Sequence, residues 1–471
     1  MEGYYGRTVI YSDVEEITSE NVLEVLQKAI QVHSTNQDQI EFLYGYYKGK
    51  QNIYERVKDI RPEINYLVVE NRCKEVVDFK AGYSIGSPIQ YNDRTGTHPE
   101  EINELNTIMD YEGRNAIDEK TVEWNLICGT AYKIALQKDE PDEVSSIEIT
   151  SLDPRQTFVI YSSGMRHEPL AGVWFVVDSQ NQTHYYVYTK TETFKILDDE
   201  IEERGINGIG FIPIVEFPAN NARLGAFENI LDIQDMLNNL ASDRVDAISQ
   251  FVQSLIVATN CDFRKEGTTA QDIMQKGLIS LTARDGLVQD IKILTQELNQ
   301  TQTQTLKDDM YEAILTICSM PNRESSSNGD TGIAVVYRDG WSAAETAANK
   351  YEAVYRRSEK EFLKVCLAIF ANTSGPQMNA SDIEVKFTRK NFEGIAQKVE
   401  VLDKMLSNDK IAPRLAFIYS NMFPDPEEAY RESQDWSVAH TEIDIEAAEK
   451  PEIATVREDL QNAGETNEDR L

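Results

Sequence analysis

Positive charge is scarce in this chain. Lys and Arg number 46 against 80 Asp and Glu, leaving a net charge of -34. Phosphate contacts dominate nucleic-acid affinity and need a basic surface, so a clamp that grips nucleic acid is excluded. An anionic membrane surface is excluded on the same ground. A wall that DNA passes without sticking is not. No apolar run reaches the length of about 18 residues that a spanning helix needs, and MEGYYGRTVIYSDVEE at the N-terminus lacks an apolar signal core. Cysteine is sparse too. Cys73, Cys128, Cys261, Cys318 and Cys366 are far apart, odd in number and without CxxC spacing, which fits buried thiols in a reducing cytoplasm.

Catalytic signatures are also missing. The histidines His33, His98, His167, His184 and His440 are scattered, with no metal-ligand spacing between them. There is no GxSxG. Gly45…Gly49-Lys50 is one residue short of a phosphate loop, and Gln51 stands where Ser or Thr would hold magnesium. GINGIGF, with Gly205, Gly208 and Gly210, lies between strand-like runs and fits a hairpin loop better than a dinucleotide turn. No resident metal or other cofactor is expected.

What is present, 41% hydrophobic residues over 471, suffices for several globular units. The pattern predicts an α+β protein. A helix is expected over 14–33, with Thr18 or Ser19 as its N-cap. Another is expected from Asn65 to Ala81, stopping at Gly82, then a turn into a strand at SIGSPIQY. PEEINELNTIMDY and GRNAIDEKTVEWNLICGTAYKIAL each read as a helix. From about 146 to 217, β-branched and aromatic runs separated by turns predict a small, largely antiparallel sheet. A long helix is expected over 226–259, mixed short elements over 260–293, with MQKGLISL and GLVQDIKIL as strands, and a second long helix ending at Pro321. PNRESSSNGDTG is a loop by composition, and residues 341–371 read as a third long helix. IEVKFTR (383–389) is a strand with no local partner, so pairing with the first sheet is expected. Helices with an apolar stripe follow over 391–433, then a tail from about 436 that is acidic and poor in apolar residues.

Residues 227–249, FENILDIQDMLNNLASDRVDAIS, place Glu228, Asp232, Asp235, Asp243 and Asp246 at spacings of 4, 3, 8 and 3. At about 100° per residue they fall within an arc of roughly 80°. Ile230, Ile233, Leu237, Leu240, Ile248, Phe251 and Leu255 hold the other side. On pattern alone this is the solvated face of an amphipathic helix. Carboxylates in a row on one helix do not converge as metal ligands do, which counts against a two-metal nuclease.

Five stretches together resemble the portal proteins of tailed double-stranded DNA bacteriophages, in the type found in long-tailed phages. They are EFLYGYYKGKQNIYER (41–56) and ENRCKEVVDFKAGYSIGSPIQY (70–91), with its asparagine-containing helix, Gly-Tyr pair and Gly-x-Pro-Ile turn. GFIPIVEFPANNARLGAFENILDIQDMLNNLASD (210–243), MPNRESSSNGDTGIAVVYRDGWSAAETAANKYEAVYRRSEKEF (320–362), and VKFTRKNF with IAPRLAFIYSNMFPDPEEAYRE (385–432) follow in order. Residues 1–36 and 436–471 lie outside the resemblance.

The resemblance implies a wing (1–225), stem helix 1 (226–259), a clip (260–293), stem helix 2 (294–319) and a channel loop (320–340). After these come a long helix and returning strand (341–390), a crown (391–435) and an acidic tail (436–471). It implies a homo-oligomeric ring, usually of twelve subunits, at one capsid vertex of the virion, assembled in the host cytoplasm. Double-stranded DNA enters and leaves through the ring. The implied partners are a terminase ATPase, a head-completion adaptor, and the scaffold and major capsid proteins, with no membrane.

Geometry offers a check on that ring. Twelve helices packed at about 10 Å leave a bore near 28 Å, wide enough for a duplex of about 20 Å, whereas eight would leave about 15 Å. In such a ring Glu228, Asp232, Asp235, Asp243 and Asp246 are expected to line the tunnel as acidic rings that do not grip DNA. The competing arrangement turns them outward and lines the bore with Gln296, Gln300, Gln304 and Asp308. Arg323, Ser325, Ser326, Ser327, Asn328 and Gly329 are expected in the channel loop, with Arg323 either touching phosphate or simply solvated. The other readings are an acidic homo-oligomeric scaffold enclosing no DNA and, more remotely, a metal-dependent nuclease.

Overall fold

The computed structural model describes residues 6–59, 62–140, 144–252, 255–259, 290–294, 300–322, 340–373, 375–387, 395–420, 422–423, 426 and 429–438. Residues 1–387 form one compact unit and 388–471 a second. In the first unit, β1 (Ile10–Ser12) leads into α1 (Val22–Tyr47), α2 (Arg72–Ile85), β2 (Gln90–Asp93), α3 (Pro99–Tyr111) and α4 (Arg114–Cys128). A run of strands follows: β3 (Thr130–Gln137), β4 (Ile147–Leu152), β5 (Thr157–Ser162), β6 (Pro169–Val177), β7 (Thr183–Thr189), β8 (Glu192–Leu197), β9 (Glu200–Ile206) and β10 (Ile214–Pro218). Then come α5 (Leu231–Val252), β11 (Leu255–Thr259), β12 (Asp290–Leu294), α6 (Gln300–Ile317), α7 (Trp341–Asn372) and β13 (Ile383–Lys386).

The strands make a six-stranded sheet, β1-β5-β6-β7-β8-β9, and a three-stranded one, β10-β3-β4. Only the β1–β5 pairing is parallel among the described pairings. β5 is buried on both faces. Phe158 and Ile160 meet the N-terminal half of α1, while Val159 packs with Tyr132, Ile134 and Ile214 of the other sheet. The main core lies where α2, α4, α7 and the three-stranded sheet meet, around Val122, Ala135, Phe217, Phe362 and Cys366. The second unit contains α8 (Ile395–Leu406) and α9 (Pro413–Ser420), where Phe417 stacks on Phe423 at 5.4 Å.

Five expectations need correction. α1 begins later than the expected 14–33 and runs on to Tyr47, through a polar stretch that looks like a break. The polar groups have partners: His33 Nε2 meets the Arg155 carbonyl at 3.1 Å, and the Asn36 amide pairs with both Thr8 backbone groups at 2.9 and 2.8 Å. Residues 65–71 are extended, α2 starts at Arg72, and Gly82 lies inside it. GTAYKIAL is strand β3, because α4 stops at Gly129 with φ 80°. A Cβ at Gly129 would stand 2.0 Å from the Arg223 carbonyl oxygen, so only glycine admits that approach. The helix expected to reach 259 ends at Val252. The apolar run Leu255–Thr259 instead pairs antiparallel with Asp290–Leu294. Finally, β13 does not join either large sheet; it pairs with β2 as a separate ribbon, Ile383 opposite Asp93.

Candidate functional site

The acidic helix α5 does not present its carboxylates as one face. Glu228, in the turn before it, is buried. Its carboxylate accepts from the Arg7 guanidinium at 2.8 Å and from the backbone N–H groups of Gly225 at 2.5 Å and Gly6 at 3.2 Å. Burial raises its pKa above the usual carboxylate range, partly offset by Arg7 and those N–H groups. Asp235 accepts from the Tyr46 hydroxyl at 2.8 Å and the Asn52 amide at 2.9 Å. Asp246 is buried and meets the Lys58 ammonium, Arg56 at 3.3 Å and the Tyr66 N–H at 2.8 Å. Burial would raise its pKa; Lys58, the Tyr66 N–H and Arg56 outweigh that and hold it low.

Asp243 touches Arg56 but its side chain stays 63% exposed. Asp232 is exposed and forms no hydrogen bond or ion pair among the described residues. The five acids therefore do not serve one purpose. Glu228 and Asp246, both expected along the tunnel, are buried and ion-paired inside the protomer, and Asp235, expected there too, is committed to Tyr46 and Asn52. Helical spacing sets direction around an axis, but the neighbouring segment wraps that same arc.

That neighbour is the extended stretch 66–71 together with Arg72, the first residue of α2, and sequence reasoning missed what holds it. Its alternate backbone N–H groups donate to every fourth side chain of α5. Arg72 bonds Gln234 at 3.1 Å, Glu70 bonds Asn238 at 2.9 Å, Val68 bonds Ser242 at 3.0 Å and Tyr66 bonds Asp246 at 2.8 Å. The periods match, since two extended residues rise about 6.6 Å and four helical residues about 6.0 Å. The four acceptors are all buried. Gln51 caps the array, its Oε1 accepting from Gln234 at 3.1 Å and Asn238 at 2.5 Å. The legible signal was the run Gln234, Asn238, Ser242, Asp246: short acceptors at four-residue spacing.

α6 packs beside α5, with Arg244 donating to Gln304 at 2.9 Å and Gln304 to Asp308 at 2.6 Å. Its Lys307 meets Glu70, and the Arg72 guanidinium lies 4.2 Å from the Tyr311 ring centre. The helix pair leaves apolar side chains in the open: Met236 (55%), Ile248 (49%), Leu306 (46%) and Ile317 (47%).

α7 is tied to the sheets by a buried ionic cluster. The Lys133 ammonium meets Asp118 and, at 2.9 Å, Glu359, while Tyr91 donates to Glu359 at 2.5 Å and Tyr355 to Asp118 at 3.2 Å. The ring of Phe217 lies 4.7 Å from the ammonium. Burial raises the Asp118 pKa, and Lys133 and Arg114 oppose the shift.

Arg323, Ser325, Ser326, Ser327, Asn328 and Gly329 lie outside the described residues, as do most of 260–293, Gln296 and most of the tail. Among the described residues no group of His, Cys, Asp and Glu is placed to hold a metal ion, and no helix is long and apolar enough to cross a membrane.

Residues 26–438 match the family model described as phage portal protein, SPP1 Gp6-like. The portal protein of Bacillus phage SPP1 is 20% identical over 384 residues, covering 75% of this chain and 73% of that one. Two solved structures are similar in part. A chain in the virion of a native gene transfer agent particle is 11% identical with a TM-score of 0.42. One in the neck of such a particle, computed with C12 symmetry, is 13% identical with the same score. Each match covers 75% of this chain and 90% of the other.

Proposed function

The chain belongs to the SPP1 Gp6-like family of phage portal proteins, and from that premise we propose how its parts serve a portal. Its role is structural, as a connector at the capsid vertex, and the observation that carries this is the family match across residues 26–438. Neither a scaffold without a channel nor a nuclease is favoured.

In our reading, copies of the chain stand around an axis as a ring, and twelve copies give a bore wide enough for a duplex. DNA passes through it during packaging and ejection. A terminase ATPase docks first and a head-completion adaptor later, on a capsid built with scaffold and major capsid proteins. The ring would assemble in the host cytoplasm and remain in the virion. What supports an upright pair of helices is the antiparallel packing of α5 and α6, joined through the β11–β12 ribbon.

Of the five acids, Asp232 and Asp243 are the ones left to face a tunnel, since Glu228, Asp235 and Asp246 are engaged within the protomer. Like-sign walls would deny DNA the counterion release that makes it stick. Asp232→Lys with Asp243→Lys should give a ring that retains duplex DNA in a salt-dependent way. A reversed-charge ring that holds DNA no better than wild type would remove these residues from the tunnel. The loop containing Arg323 and Ser325 to Gly329 is proposed to contact DNA in the channel. Deleting Ser325–Gly329 should spare assembly but lower DNA retention, and normal packaged length and retention would contradict that.

A further inference from the structure

A cavity of about 410 Å³ opens where α2, the turn before α5, the end of α6 and the start of α7 meet. Asp and Glu supply 80 of the 471 residues, yet among the described residues none lines this recess. Two lysines do. Neither Lys80 nor Lys350 makes a hydrogen bond or ion pair with any described residue. On the same wall the Tyr351 hydroxyl is shielded from solvent and has no hydrogen-bond partner among the described residues. Phe79, Leu224 and Val354 give the recess an apolar lining. Burial pushes the half-buried Lys80 ammonium below its usual pKa, as expected of a cation with no counter-ion among the described residues. Such an arrangement is unfavourable until an anion arrives.

We propose that this recess receives a carboxylate from the adjacent copy of the chain, supplied by the Asp309–Glu312 edge of its α6. The inference rests on the ring reading above. Rotation about an axis preserves height, so residues at one level of a protomer meet their neighbour's residues at the same level. Ile317 of α6 lines the recess, and Glu312 precedes it by five residues, about 7.5 Å along the helix. Asp309 and Glu312 are both exposed and without a partner among the described residues. Leu306, also exposed, stands one turn from Asp309. An edge combining carboxylates with an apolar side chain complements a recess of mixed lining that holds two lysines. Duplex phosphates fit less well, because they sit on a stiff rod about 20 Å wide and cannot enter a recess that a single side chain can.

The test is zero-length carbodiimide coupling on rings assembled from equal amounts of ¹⁴N- and ¹⁵N-labelled chain, read by peptide mass spectrometry. A mixed-isotope cross-link joining Lys80 or Lys350 to Asp309 or Glu312 is expected. In parallel, Lys80→Glu should lower the assembled fraction by about tenfold through like-charge contact, and adding Glu312→Lys should restore it. Intact rings that give no such cross-link, with Lys80→Met and Lys350→Met assembling like wild type, would overturn the docking while leaving the ring standing. A wild-type chain that stays monomeric at every concentration would overturn both.

Discussion

His33 shows what burial does to one side chain. It sits between Phe158, at 4.6 Å, and Phe175, with Nε2 against a carbonyl oxygen, so the neutral Nε2–H tautomer is the one that fits. Burial lowers its pKa from 6.5 to about 4. A histidine depressed in the folded state stabilises the fold fully above about pH 6.5, and that contribution is lost as pH falls toward 4. The amount at stake is about 3 kcal/mol. The stability difference between wild type and His33→Gln should therefore shift by that amount between pH 7 and pH 4 in denaturant titrations; an unchanged difference would contradict the assignment. Lys133 is the opposite case, a buried charge that stays charged because Asp118 and Glu359 face it. Lys133→Met would strand those carboxylates and should cost about 3–5 kcal/mol. A loss below about 1 kcal/mol, within the scatter of surface changes, would mean the cluster relaxes or is hydrated.

At the scale of elements, the α5 ladder explains both what the sequence disclosed and what it hid. Periodicity located α3 and the start of α7 closely, because those helices bury one apolar stripe against a core. It failed over 65–71, where the residues carry helical apolar spacing but the backbone is extended. The partners that hold that backbone are side chains some 170 residues away, and no local pattern encodes them. It failed at 130–137 because β3, buried along most of its length, looks apolar on every side, and only Gly129 separates it from a helix. The acids of α5 were legible as a row, but not their engagement by Arg7, Tyr46, Asn52, Arg56 and Lys58, which comes from tertiary packing. Asn238→Leu should orphan the Glu70 N–H and cost about 1–3 kcal/mol, with faster amide exchange at Val68 and Glu70. Asp232→Asn, at an exposed site, should change stability by less than about 0.5 kcal/mol. Equal effects from the two variants would refute the ladder.

On the scale of the whole molecule, membership in the portal family accounts for the order of parts: sheets and helices, a long helix, a strand ribbon, a second helix, and a third that returns to the sheets through Lys133 and Tyr355. The surplus of negative charge suits a wall that DNA slides past. The exposed apolar side chains on α5 and α6 suit neighbours that would cover them. All of this depends on several chains standing around an open axis. Imaging the purified assembly by cryo-electron microscopy down that axis tests it most directly. The account predicts a closed ring with an axial opening of about 28 Å. A solid centre, or an opening narrower than the roughly 20 Å of a duplex, would contradict it.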